Sequence, residues 1–128
     1  MVVVYPVILK EDDGGYVVRI PDFHTVTEGK DIADAIYMAR DAIGLLGIDY
    51  EDDGKELPVP GEVEYSISQD EKVTLVDVDL AEYRKKHDNR MVKKNCTIPY
   101  YLNVEAEKQG INFSRVLQEA LLAKMNMN

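Results

Sequence analysis

Val92-Lys93-Lys94-Asn95-Cys96-Thr97-Ile98-Pro99 sorts its side chains by face when it is read as an extended strand. Lys93, Asn95 and Thr97 fall on one side, and Lys94, Cys96 and Ile98 on the other. The first face is polar throughout. The second is partly apolar, with Lys94 the exception, a side chain long enough to reach solvent from a strand edge. Pro99 suits the first position of a helix that runs to Gln109 and stops at Gly110. Asn112 is placed to cap a second helix, whose Phe113, Val116, Leu117, Ala120, Leu121 and Lys124 recur at spacings of three and four. The expected order over residues 90–128 is therefore strand, helix, helix.

A segment of roughly 40 residues buries too little to be stable alone, and such domains rely on metals, disulfides or oligomerisation. Cys96 is the one cysteine of the chain, so no intramolecular disulfide forms, and no cluster of Cys and His stands at metal-ligand spacing. What remains is a dimer in which the strand pairs with its two-fold mate and four helices share one core. Cys96, Ile98, Leu102, Val116, Leu117 and Leu121 are the residues expected in that core. An antiparallel two-stranded ribbon fits the DNA major groove, where its outward polar residues reach base edges.

The alternation ending in Ile98-Pro99, then Leu102, Gly110-Ile111-Asn112-Phe113-Ser114 and Val116-Leu117, resembles the ribbon-helix-helix family. The resemblance implies that Lys93, Asn95 and Thr97 read bases. It also implies that the free amides at Asn112, Phe113 and Ser114 clamp a phosphate at the helix N-terminus.

Charge divides at the same place. Of 128 residues with net charge -9, residues 1–89 hold 21 acids against nine Lys and Arg, or -12; residues 90–128 hold three against six, or +3. A uniformly acidic protein is a poor ligand for DNA, whereas an acidic body with a basic tail offers one surface to a basic protein and another to phosphates. Arg84-Lys85-Lys86-His87-Asp88-Asn89-Arg90 has the composition of a linker between them. The expected domains are thus residues 1–86 and 90–128.

Within the body, Val2 to Leu9 and Tyr16 to Ile20 are β-rich runs flanking Glu11-Asp12-Asp13-Gly14-Gly15, which predicts a tight hairpin. Phe23 to Thr27 reads as a third strand. Ile32, Ala35, Ile36, Ala39, Ile43 and Leu46 form one apolar stripe, a helix from Asp31 to Leu46 with Asp31 as its N-cap. Gly47 to Gly61 reads as a loop, Val73 to Val78 as a strand, and Leu80 to Lys86 as one or two helical turns. The fold class is α+β, with the helix covering one sheet face. The apolar start gives way at once to Pro6 and Lys10-Glu11-Asp12-Asp13, so neither a secretory leader nor a membrane span is expected, and the composition reads as cytoplasmic.

Tyr5, Gly15-Tyr16-Val17-Val18, Pro21-Asp22-Phe23, Gly29 ahead of the Asp31 helix, and Val76-Asp77-Val78-Asp79-Leu80 are similar to the HicB antitoxin family. Where many relatives have Gly-Cys, this chain has His24-Thr25, which leaves the local turn geometry open. The resemblance implies a truncated RNase H-like fold for the β-β-β-α-β body. It further implies a small, basic, RNA-cleaving HicA-type toxin as partner, and repression of the chain's own operon by DNA binding. Neutralisation of such a toxin needs no catalysis, and no cofactor or metal is expected. Asp12, Asp13 and Asp22 are the carboxylates to consider for two-metal nuclease chemistry, but turn and surface roles account for them. His24 and His87 lack a neighbouring nucleophile or carboxylate arrangement. Two alternatives stay open at this point: a stand-alone ribbon-helix-helix regulator with a ligand-sensing body, and a metal-dependent nuclease. The residues that touch the toxin, and whether dimers pair into tetramers, are not readable from the chain.

Overall fold

The hairpin is where Asp13-Gly14 allows it. In the computed structural model, which describes residues 1–127, β1 (Val2–Asp12) turns into β2 (Gly15–Ile20) with Asp12 paired to Gly15. Asp13 and Gly14 take φ of 48° and 82°, the two positive angles of a hairpin turn that follows the natural strand twist. Pro21–Phe23 then make a single 3-10 turn, so the third strand, β3 (Thr25–Gly29), begins two residues later than the sequence suggests. The turn closes on His24, at φ 50°, whose N–H donates to the Pro21 carbonyl at 3.0 Å. This left-handed position favours glycine, and histidine is among the residues that enter it with moderate strain. That is the geometry left open by His24-Thr25.

Helix α1 spans Ile32–Asp52 and is capped as expected: the Asp31 side chain accepts from the Asp34 N–H at 2.8 Å. It runs six residues beyond Leu46, through the segment read as loop. Packing overrides the helix-breaking tendency of Gly47. Gly47 and Ile48 are buried, a Cβ on Gly47 would stand 2.9 Å from Leu80, and Tyr50 meets Phe23 edge-on at 5.6 Å between ring centroids. The helix stops at Asp53 and Gly54, where the Gly54 N–H and Lys55 N–H return to the carbonyls of Glu51 and Tyr50.

After an irregular connection, β4 (Glu71–Asp79) lies antiparallel to β1, giving one four-stranded sheet in the order β3-β2-β1-β4. Helix α2 (Leu80–His87) follows, capped by Asp79, whose side chain accepts from the N–H groups of Ala81 and Glu82. Odd-numbered β1 residues Tyr5, Val7 and Leu9 join Val18, Ile20, Val76 and Val78 beneath Ala35, Ala39 and Ile43 of α1. Each such buried aliphatic contributes roughly 1.5–3 kcal/mol. Ile32 is the stripe residue that stays outside this core.

The chain divides into two compact units, one of residues 1–90 and one beginning at Met91. In the second, α3 (Tyr100–Lys108) and α4 (Phe113–Met125) follow an irregular stretch. The strand expected over Val92 to Pro99 is not formed, for a reason intrinsic to strands: its ladder needs a neighbour, and none of the described residues pairs with it. Pro99 is the N-cap of α3 rather than its first helical residue, because its ψ of 144° is extended. The architecture is α+β, an antiparallel sheet with helices.

Candidate nucleic-acid interface

The second unit is built around one tight turn. The N–H groups of Gly110 and Ile111 donate back to the carbonyls of Glu107 and Ala106, closing α3, and Gly110 takes φ 67° there. Asn112 then opens α4, its Oδ1 accepting from the Arg115 N–H at 3.1 Å. That bond satisfies one of the four orphan donors of the first turn and leaves the N–H groups of Phe113 and Ser114 without an intrahelical acceptor. Arg115 pairs along the helix with Glu119 at 3.0 Å.

None of the described residues of this unit is buried. Ile98, Leu102, Val116, Leu117 and Leu121 are all exposed, Ile98 to 47%, and Cys96 is an exposed free thiol. Lys93, Asn95 and Thr97 are exposed beside them on the irregular stretch. Five apolar side chains that the sequence assigns to a core are thus uncovered in the single chain.

The body places its polar groups otherwise than the sequence suggests. Asp22 is neither in an exposed turn nor on the surface: it is 3% exposed, and its carboxylate accepts from the N–H groups of Gly61 at 2.9 Å and Val63 at 3.3 Å. The Tyr5 hydroxyl donates to the Pro58 carbonyl at 2.7 Å, and Arg19 donates to the Ser66 carbonyl and pairs with Glu71 at 3.2 Å. Together these pin the connection between α1 and β4. Burial, and next the nearby Asp22 charge, push the Tyr5 hydroxyl above its usual range. Asp12 and Asp13 sit at the hairpin turn, and among the described residues no three His, Cys, Asp or Glu are grouped to hold a metal ion.

The expected linker is likewise part of the body. Arg90 reaches Asp52 and Asp88, both at 2.8 Å, while Arg84 reaches Asp52 at 3.0 Å and Asp88 at 3.1 Å. Hydrogen bonds from Arg90, then Arg84, hold the Asp52 carboxyl below its usual range, and those from Arg90 hold Asp88 far below it. Tyr83 stacks on His87 at 4.2 Å and donates to Asp41 at 2.9 Å. Burial and that bond push its hydroxyl up to about 12. By composition Arg84 and Arg90 read as solvated linker charges; their partners Glu51 and Asp52, at the end of α1, stand 33 and 38 positions earlier in the chain.

Among the described residues, no helix is long and apolar enough to cross a membrane. The chain is 33% identical over 103 residues to an uncharacterized 14.9 kDa protein from the rep-hol intergenic region of Haemophilus phage HP1, a match covering 77% of this chain and 74% of that protein. Its fold is similar to a chain of a toxin-antitoxin complex from Streptococcus pneumoniae, with TM-score 0.59, 27% identity and coverage of 97% of this chain and 99% of that one. It is also similar to the antitoxin HicB of Burkholderia pseudomallei, with TM-score 0.48, 24% identity and coverage of 98% and 99%. Residues 5–125 match the model of the HicB-like antitoxin of bacterial toxin-antitoxin systems, and the chain belongs to that family.

Proposed function

We propose that the chain neutralises a small basic HicA-type toxin through its acidic body, a truncated RNase H-like module, and represses its own operon through a ribbon-helix-helix dimer. The observation that carries the second half is the uncovered apolar set of Ile98, Leu102, Val116, Leu117 and Leu121 on a unit with no buried residue. Two copies bury these residues together and give each Val92 to Pro99 segment the strand neighbour it lacks. Lys93, Asn95 and Thr97 then face outward for the major groove, with the Phe113 and Ser114 amides turned to a phosphate. The first half rests on family membership and on the net charge of the body, which accelerates encounter with a cationic protein and covers its RNA-binding face. The activity is binding, and it uses no catalytic residue.

Gel-shift titration on the chain's own promoter DNA tests the reading. Asn95→Ala removes one bidentate base contact and weakens specific binding by ~1–3 kcal/mol while leaving non-specific binding unchanged. Lys93→Ala, if it holds phosphate, weakens all sequences alike and lowers the salt slope by about one per neutralised contact. Wild-type affinity in both variants removes the DNA-reading role from this segment. Failure of the full chain to restore growth of cells expressing a HicA-type toxin, sought in the neighbouring reading frame, removes the antitoxin role.

A further inference from the structure

β4 is an edge strand: the sheet order places β1 on one side of it and, among the described residues, no strand on the other. Leu80 N–H donates to the Met1 carbonyl, and the β1–β4 register continues this pairing through Val3 with Val78 and Tyr5 with Val76. In an antiparallel ladder hydrogen-bonded and non-bonded pairs alternate. The even-numbered residues of β4 therefore bond to β1, and the odd-numbered ones, Glu71, Val73, Leu75 and Asp77, turn their backbone groups outward. The outer edge is closed at both ends. Glu71 N–H donates to the Ser68 carbonyl, and the Asp77 carbonyl accepts from Arg40 Nε at 3.1 Å. Between these stops lies an open window: the N–H groups of Val73, Leu75 and Asp77, and the carbonyls of Glu71, Val73 and Leu75.

Two of the side chains of the window, Val73 and Leu75, are apolar and point to the sheet face opposite α1, flanked by Glu71 and Asp77. Leu75 is 70% exposed and Val73 40%; on the same face their register partners Pro6 and Ile8 are buried, and Val4 and Val2, exposed, lie further along, opposite Asp77 and Asp79. A long edge with apolar side chains and free backbone groups is a liability that proteins normally block with charge, proline or cover. Here the ends are blocked and the middle is left open, which suits the addition of a short strand.

We propose, building on the antitoxin reading, that this window is where the basic partner protein docks, by adding one of its strands antiparallel or parallel to β4. Charge selects the occupant. A second copy brings another body of the same strongly acidic net charge edge to edge. A cationic partner gains from the same field. Glu71 and Asp77 are already held by Arg19 and Arg40, so the attraction comes from the body as a whole, and association weakens as salt rises.

Hydrogen exchange on the full chain, alone and in complex with a small basic HicA-type protein expected to be encoded beside its gene, tests this directly. The N–H groups of Val73, Leu75 and Asp77 exchange fast in the free chain and become protected in the complex. A complex that forms with those three still fast overturns the site but leaves the antitoxin reading intact. Protection that grows with concentration of the free chain makes a second copy the occupant and also overturns it. If the wild-type chain binds no such protein, both readings fall. Val73→Pro with Leu75→Pro removes two outward donors that the ladder to β1 does not use. It should weaken the complex about 10- to 100-fold with the thermal midpoint nearly kept. Unchanged affinity of that folded variant contradicts the proposal, and if it fails to fold the exchange measurement on wild type decides alone.

Discussion

The two units use apolar residues at similar density and end in opposite states. In residues 1–90, Tyr5, Val7, Val18, Ile20, Ala35, Ala39 and Ile43 are all 1% exposed or less, and the helix that covers the sheet finds every partner within the same chain. From Met91 onward the helices are equally regular, yet not one described side chain is buried. Regular helices without a core do not account for their own stability, since isolated helices of this length are marginal in water. Periodicity alone thus shows which face of an element is apolar, while the size of the unit decides whether that face closes within one chain or between chains.

The largest expected effect breaks this contrast outright. Ile98→Asp puts a charge in the core of the proposed dimer, so DNA binding should fall by more than about 100-fold and sedimentation should report a monomer. The melting of the body is unaffected. If the variant stays dimeric and binds promoter DNA, the exposed residues of the second unit are covered by something other than a second copy.

A smaller effect probes how tightly the body is closed. Gly44 lies in the middle of α1, and a Cβ built there meets the Tyr83 ring at 2.5 to 2.7 Å. On an exposed helix surface Gly→Ala stabilises by up to ~1 kcal/mol. Here the overpacking cost, typically ~1–3 kcal/mol, wins, because the ring is held by Asp41 and His87 and has little room to retreat. Calorimetry of Gly44→Ala should show a lower midpoint. A higher one means that α2 packs more loosely than its geometry indicates.

What was legible followed from signals contained in a few adjacent residues. Asp13-Gly14 specifies a hairpin because two consecutive positive φ angles are needed, and Asp31 specifies a helix start because its side chain reaches the Asp34 N–H. Asn112 marks α4 for the same reason. What was not legible depends on residues far apart in sequence. Gly47 reads as a helix stop until Leu80 is known to need the space beside it, and Asp22 reads as a turn residue until the Gly61 and Val63 amides arrive from 39 and 41 positions away. The residues proposed to face DNA were legible only as an alternation, since Lys93, Asn95 and Thr97 acquire a common face only if the segment becomes a strand, and that requires a neighbour.

The smallest expected effect locates the boundary between the two regions. Composition puts the end of the body near Lys86; the pairs that Arg90 makes with Asp52 and Asp88 put it at Arg90. A fragment of residues 1–90 should therefore melt higher than one of residues 1–86, which also lacks the His87 ring stacked on Tyr83. These charges are largely solvated, so the difference is modest, no more than about 5 °C. Its pH dependence identifies the cause. Arg90 depresses the Asp52 and Asp88 carboxyls in the folded fragment below the ordinary aspartate value of roughly 3.9. The stabilisation is thus fully present above that value and is lost as pH falls through the lower folded values. Added salt should shrink it in the same direction. Equal melting of the two fragments at neutral pH and low salt returns the boundary to Lys86, whereas a difference that survives both acid and salt assigns the added stability to the last turn of α2 and its stacked ring.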